Sequence, residues 1–409
     1  MSTKQTIYKS LVILCLMLAF IGFAAGVNAF FIPFVQKAFK ISTAMSYMVM
    51  TATYAAYIIF GIPSGLILTK LGYKGGMAVG LTLIGFGFFL IACAGSITNF
   101  PLFLLALFIN GMGQCLMTGA VSTYTVLMGP VEKTLRRGGL QGVSNKFSFA
   151  LASFVLSGFM DLTNAHIEDV IIPFCVMASI LVVVGVLTFF APLPEIKEQV
   201  VSEDAQPDVN SVIANSKTSI FQFPHLFLGF LALFFYMGNE VIALGSINDY
   251  ATSLNLPSPA SYVWFASAGM VVGYISGAIF VPKYLKLRQA LIICTYLGII
   301  TTILIFIVPG SINIYLVALL GLANSLLYGA IWPLAIADLG KFTKTGTSIL
   351  VTAITGAAVI PLLFGYFADH SSYRTAYLIC LPAYLYILYY AVYGCKIRKY
   401  SLKKRDNDY

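Results

Sequence analysis

Residues 170–191 read VIIPFCVMASILVVVGVLTFFA, a run without one charged side chain. As a helix rising 1.5 Å per residue it would span roughly 33 Å, about the hydrocarbon thickness of a bilayer. Similar runs recur along the whole chain. They are apolar all round, which excludes an outer-membrane barrel, whose strands alternate between lipid and lumen. Of the 409 residues 59% are apolar and 10% charged, against about 25% charged in an ordinary soluble domain. So few charges cannot cover a soluble globule, and so many apolar groups exclude disorder. At about 20 residues per crossing, the apolar content supplies about a dozen membrane helices.

A hydropathy pass predicts twelve segments, at 9–35, 45–69, 76–97, 101–128, 143–162, 170–192, 222–248, 259–282, 289–308, 312–337, 345–368 and 374–395. The first is preceded by Lys4 and Lys9 and resembles a signal peptide, but its apolar pattern runs on to Val35, longer than an h-region. It is read as an uncleaved first helix. The longest polar stretch, PLPEIKEQVVSEDAQPDVNSVIANSKTS at 192–219, divides six segments from six. Its acids, lysines and prolines read as a solvated linker. The expected organisation is therefore an N-terminal six-helix bundle (1–192), a linker (193–220), a C-terminal six-helix bundle (221–395) and a basic tail (396–409).

The net charge of +9 invites a nucleic-acid reading, but position decides against it. Assigning the N-terminus, alternate loops and the tail to one side places 21 of the 24 Lys and Arg there, leaving Lys37, Lys40 and Arg374 opposite. Positive-inside bias then puts both termini and the linker in the cytosol, for a multi-pass chain in the cytoplasmic membrane. For the tail KIRKYSLKKR, contact with anionic lipid is one reading, and ordinary topology determination is enough to explain its charge. The seven cysteines form no CxxC and read as apolar packing residues. The three histidines fall at segment ends, so no metal site is expected. A Walker lysine, HExxH and a Ser-His-Asp set are all missing, so neither ATP-driven pumping nor hydrolysis has support. No cofactor is expected.

An internal repeat is also visible. GLILTKLGYKGG (65–76) joins segments two and three, and GAIFVPKYLKLRQA (277–290) joins segments eight and nine, 212 residues later. Two six-helix halves in parallel repeat resemble the layout of the major facilitator superfamily. The first loop is similar to that superfamily's GxLxDRxGxK pattern at Gly65, Lys70, Gly72 and Lys74, with Thr69 at the acidic position. Gly277 and Lys283 occupy the second loop, and all six residues are candidate gating-loop positions.

Further segments resemble the fucose:proton symporter family, and within it the glucose/galactose permeases. These are VNAFFIPFVQKAF (27–39), MGPVEKTLRRGGLQGVSNKFSF (128–149), FFYMGNEVIALGSINDY (234–250), GLANSLLYGAIWPLAIADLGKFTKTGTSIL (321–350) and GAAVIPLLFGYFAD (356–369). The resemblance implies an all-α membrane protein of twelve helices in two pseudo-symmetric halves. It implies transport of a neutral monosaccharide such as glucose, galactose or fucose, coupled to H⁺ or Na⁺ by alternating access. Fucose-type members carry acids at the positions of Ala29 and Thr118, and an Asn-Pro pair at Ser122-Thr123. The resemblance therefore supplies no coupling acid at either position.

Charges inside a span are expensive and mark function by default. Glu240 is the one acid well inside a segment and is the expected coupling group, binding sugar hydroxyls and taking up H⁺ or holding Na⁺. Asp249, nine residues on, reads as a solvated acid at the outer interface. Lys146 either snorkels to the cytosol or points inward to an acid or substrate oxygen. The uncharged polar groups Asn28, Asn110, Gln114, Thr118, Asn145, Asn239 and Asn324 are candidate sugar contacts, as is Trp332 through its ring face. Asn110, Gln114 and Thr118 share one helix face, and each such group could equally be interhelical glue. Trp264 reads as packing or an interfacial anchor. The chain is expected to act as a monomer on a small sugar, among lipids and without nucleic acid. Two rivals stay open: a carrier of an anionic solute such as a sugar acid, with Lys146 as counter-charge, and a transport-dead sugar sensor.

Overall fold

The computed structural model describes residues 3–127, 134–162, 164–191, 193–194, 218–281, 284–309, 311–339 and 342–397. The described part is all helical. The expected linker and basic tail fall almost wholly outside it.

Segment one is α1 (Thr3–Ala38). A short α2 (Thr43–Ser46) leads into α3 (Met48–Ser96), which holds segments two and three. The two are joined across Gly72, whose φ of 70° and ψ of 177° suit a residue without Cβ. Two residues on, Lys74 Nζ donates to the Ala191 carbonyl at 3.1 Å, beyond the last residue of α6 (Ile171–Phe190). A cation is favourable there, because the last carbonyls of a helix carry partial negative charge. The loop motif thus ties the second and third segments to the sixth. Lys70 and Gly65 are exposed, and Gly65 borders open space. Gly277 is buried against Leu326, and Lys283 lies outside the described residues.

α4 (Phe100–Leu127) and α5 (Thr134–Ser157) complete the first half with α6. The second half comprises α7 (Pro224–Ser253), α8 (Val263–Phe280) and α9 (Leu287–Ile307). Segment ten is broken at Ser325–Leu326 into α10 (Asn313–Asn324) and α11 (Leu327–Ile336). Segment eleven divides into α12 (Thr343–Thr352) and α13 (Gly356–His370), and segment twelve into α14 (Tyr373–Ala376) and α15 (Cys380–Val392).

Eleven stretches among the described residues are long and apolar enough to cross a membrane. The expectation was twelve, and the difference is α5. Its 24 residues would reach roughly 36 Å, but TLRRGGLQGVSNK makes its first half too polar to count by apolarity. Elsewhere the lipid face is plain. α6 exposes Ile172, Val176, Ile180, Val183, Leu187 and Phe190, a stripe repeating every three or four residues.

The repeat read from the loops extends to the packing. α1 packs on α5 as α7 packs on α13, α3 on α4 as α8 on α10, and α3 on α6 as α9 on α15. Small residues sit at matching contacts. A Cβ on Gly111 would collide with the backbone of Thr53, and one on Gly321, 210 residues later, with that of Ala266. In membranes, where apolar burial does not drive helices together, such backbone approach is a main source of helix attraction.

Candidate functional site

Lys146 lies twelve residues into α5, roughly 18 Å from its start, and Glu240 sixteen into α7, roughly 24 Å along. Both therefore sit near the middle of their helices. Lys146 Nζ donates to Glu240 Oε1 at 2.5 Å, an ion pair between the two halves. Their side chains keep only 12% and 9% exposure. Lys146 therefore does not snorkel, and the basic side loses one of the 21 cations assigned to it. Its ammonium also lies 5.8 Å from the Phe149 ring centroid.

Tyrosines surround the pair. Tyr54, Tyr236, Tyr274 and Tyr328 all lie within electrostatic reach of the Glu240 carboxylate. Tyr54 is 5.8 Å from Tyr57 between ring centroids, and Tyr236 is 6.1 Å from Tyr328. Tyr328 stacks on Trp332 at 5.5 Å and 27°. Tyr57 Oη lies 3.5 Å from Thr118 Oγ1. The region offers ring faces for apolar sugar edges and hydroxyls for their polar ones. Of the residues singled out in the sequence, Glu240, Lys146, Trp332 and Thr118 are brought together here.

The amides are deployed differently. Asn110 accepts from Gln114 at 2.6 Å and faces the Ile84 carbonyl of α3 at 3.4 Å, so both lie inside the first half. Asn145 donates to the Leu18 carbonyl at 3.0 Å, turned towards α1 and away from Glu240's helix. Asn239 donates to the Cys380 carbonyl. Asn324 donates to the Asn239 carbonyl at 3.3 Å and accepts from Tyr384 at 2.9 Å, knitting α7, α10 and α15 at the break in segment ten. Asn28 is fully buried and accepts from Thr53 at 3.4 Å, with its Nδ2 unpaired among the described residues. Trp264 packs edge-on to Phe147 at 5.4 Å.

The tyrosines escaped the sequence reading. Their signal was spacing: Tyr54 with Tyr57, and Tyr328 with Trp332, share helix faces at i+3 and i+4.

The halves are sealed at the end that carries Lys37, Lys40 and Arg374. Asp369 of α13 accepts the backbone N–H groups of Thr43 and Ala44 at 2.8 and 2.7 Å, capping α2 across the interface. Thr51 donates to the Ala358 carbonyl at 2.8 Å, and Tyr47 meets Phe364 at 5.5 Å. Asn248 of α7 donates to Ser153 of α5 at 3.0 Å. Gly245 of α7 lies against Met50 and Ile32. The expectation for Asp249 fails here: it is 2% exposed, because this seal covers it.

Four similarities bear on this arrangement. A family model described as Major Facilitator Superfamily matches residues 14–355. A glucose/galactose transporter of Brucella abortus biovar 1 (strain 9-941) is 28% identical over 387 residues, covering 92% of this chain and 91% of that protein. The L-fucose-proton symporter of Escherichia coli (strain K12) is 23% identical, covering 87% and 86%. The crystal structure of a major facilitator transporter, FucP, in the outward conformation superposes with a TM-score of 0.70 at 21% identity, over 95% of this chain and 99% of that one. With the family model spanning most of its helices, this chain belongs to the major facilitator superfamily.

Proposed function

We propose that this protein is a secondary transporter of a neutral monosaccharide, working by alternating access in a bacterial cytoplasmic membrane with both termini and the linker in the cytosol. The observation that carries the reading is the Lys146–Glu240 pair, which joins the two halves near mid-membrane among tyrosines and Trp332. The pair has no net charge, so it suits a neutral solute better than a sugar acid, for which Lys146 would have to be free. The names of the Brucella and Escherichia relatives support the same substrate class.

Glu240 is the coupling group in this reading. Protonating it breaks the ion pair and loosens the link between α5 and α7, which lets the halves rock about the site. Trp332 and the surrounding tyrosines stack on and hydrogen-bond the sugar, with Thr118 at the edge. Asn28, whose Nδ2 is unpaired among the described residues, is the amide best placed to add a contact. Asn110, Gln114, Asn145, Asn239 and Asn324 act by holding the helices that present these groups. The protein is a carrier rather than an enzyme, works as a monomer, and needs only its coupling ion.

The test is uptake into proteoliposomes from a panel of hexoses and deoxyhexoses, with H⁺ and Na⁺ gradients imposed separately. One gradient is expected to drive accumulation. Glu240→Gln is expected to abolish accumulation while sparing sugar exchange. Gradient-driven accumulation by that variant would remove Glu240 from coupling, and binding without flux in the parent would favour the sensor reading.

A further inference from the structure

Among the described residues, the mechanism above leaves one buried acid unused. Asp249 lies nine residues after Glu240 on α7, and is 2% exposed inside the seal between the halves. Among the described residues its Oδ2 has no hydrogen-bond partner and it makes no ion pair. The groups facing it come from every element packed around it: Lys37 of α1, Tyr47 at the start of α3, Asp369 of α13 and Tyr373 of α14. Tyr47 is itself 1% exposed, and its hydroxyl, which makes no full hydrogen bond among the described residues, is turned towards the carboxylate. One turn back on α7, Ser246 Oγ lies 2.6 Å from Tyr377 Oη, a pair already satisfied.

An ionised carboxylate without a paired cation is strongly disfavoured in such surroundings, and protonation is its ordinary escape. Lys37 contributes charge from a distance and not a contact, and Asp369 repels a second negative charge. Separating α2 from α13 and α1 from α7 would admit water to Asp249 and allow it to ionise. We propose that Asp249 is a proton-binding site of the gate opposite the basic side, holding one proton while that gate is shut and releasing it to the same side as it opens. This proton is distinct from the one exchanged at Glu240, since thirteen to fourteen ångströms of buried α7 separate the two at about 1.5 Å per residue. By linkage, acid on the outer side favours the closed gate and alkali the open one.

The inference rests on the proposed alternation of access, and one experiment separates the two. Met50, 2% exposed and facing Gly245 across the seal, is replaced by Cys in a chain whose seven native cysteines are substituted. The rate of labelling by a membrane-impermeant maleimide is followed in proteoliposomes against external pH, after division by the reagent's own thiolate dependence. The expected rate rises with pH, by up to about tenfold per unit where one proton is linked to opening. Asp249→Asn, which fixes the neutral form, is expected to flatten the profile. Asp369→Asn is expected to raise the rate at every pH and keep the slope. Should Asp249→Asn not yield folded protein, Tyr47→Phe removes the hydroxyl facing the carboxylate, and is expected to move the profile to higher pH. A parent profile without slope, an unchanged slope in Asp249→Asn, or an unmoved profile in Tyr47→Phe overturns the role of Asp249. No labelling of the parent at any pH overturns the alternation as well.

Discussion

Replacing Lys146 by Met strands Glu240 as a lone carboxylate with 9% of its side chain exposed. Removing one partner of a buried ion pair costs about 3–5 kcal/mol, whereas removing both in favour of neutral groups of similar size is often neutral or stabilising. The 2.5 Å contact and the low exposure of both groups place this pair in that class, well apart from exposed pairs worth about 0–1 kcal/mol. Lys146→Met and Glu240→Gln should each lower stability by about 3 kcal/mol, the lower end of the range, because a stranded acid or amine can neutralise by exchanging a proton. The double variant should return to within about 1 kcal/mol of the parent. The assay is a double-mutant cycle on heat resistance in detergent, read as the fraction of monodisperse protein after a temperature ramp. It is paired with sugar exchange, to show that each variant reaching the end of the ramp is native. Strong non-additivity is the expected outcome. A double variant as fragile as the sum of the two singles would refute the reasoning, since the side chains would then act separately.

Other perturbations follow from named contacts. A Cβ at Gly356 would land on the Phe234 backbone carbonyl, so Gly356→Ala should cost about 1–3 kcal/mol and reduce folded protein in the membrane, while Gly65→Ala, facing open space, should not. Asp369→Asn weakens two charge-assisted bonds to the Thr43 and Ala44 amides. Because Asp369 is exposed, the expected loss is only about 1 kcal/mol, or roughly fivefold faster hydrogen exchange of those amides. Trp332→Ala removes the ring that stacks on Tyr328 and should weaken sugar binding about three- to tenfold, with Trp332→Phe retaining most of the affinity by equilibrium titration.

The fold was legible because bilayer physics leaves few choices. A run such as 170–191 can only be a helix in lipid, and the loop repeat foretold a pairing of helices that Gly111 and Gly321 repeat. Glu240 was legible for the same reason, as a charge too expensive to be incidental. Lys146 was not, because hydropathy starts segment five near 143 whereas α5 begins at Thr134. That shift moves the lysine from a helix end to a helix middle. Asp249 was misjudged because hydropathy reports nearness to a segment end but not the partner half that closes over it. The amides were ambiguous for a related reason. Asn145 and Lys146 are neighbours in sequence, yet successive helical residues point about 100° apart, so one meets α1 and the other Glu240.

The charges inside the bilayer decide which transport step the membrane potential can drive. The positions where fucose-type members carry acids are Ala29, fully buried in the apolar core, and Thr118, beside Tyr57. A site relying on an unpaired carboxylate is negative when empty and neutral when protonated, so the potential acts on its empty return. Here the resting site is already neutral, with Lys146 balancing Glu240. If the coupling ion is a proton taken by Glu240, as proposed, Lys146 would be left as a net positive charge in the loaded carrier. Each elementary charge crossing the full field is worth about 2.3 kcal/mol per 100 mV. With the cytosol negative, that energy would pull the loaded form inward and leave the empty return indifferent to voltage. Under the proposed coupling, the lysine would do more than neutralise an acid: it would move the electrogenic step from the return of the empty carrier to the entry of the sugar.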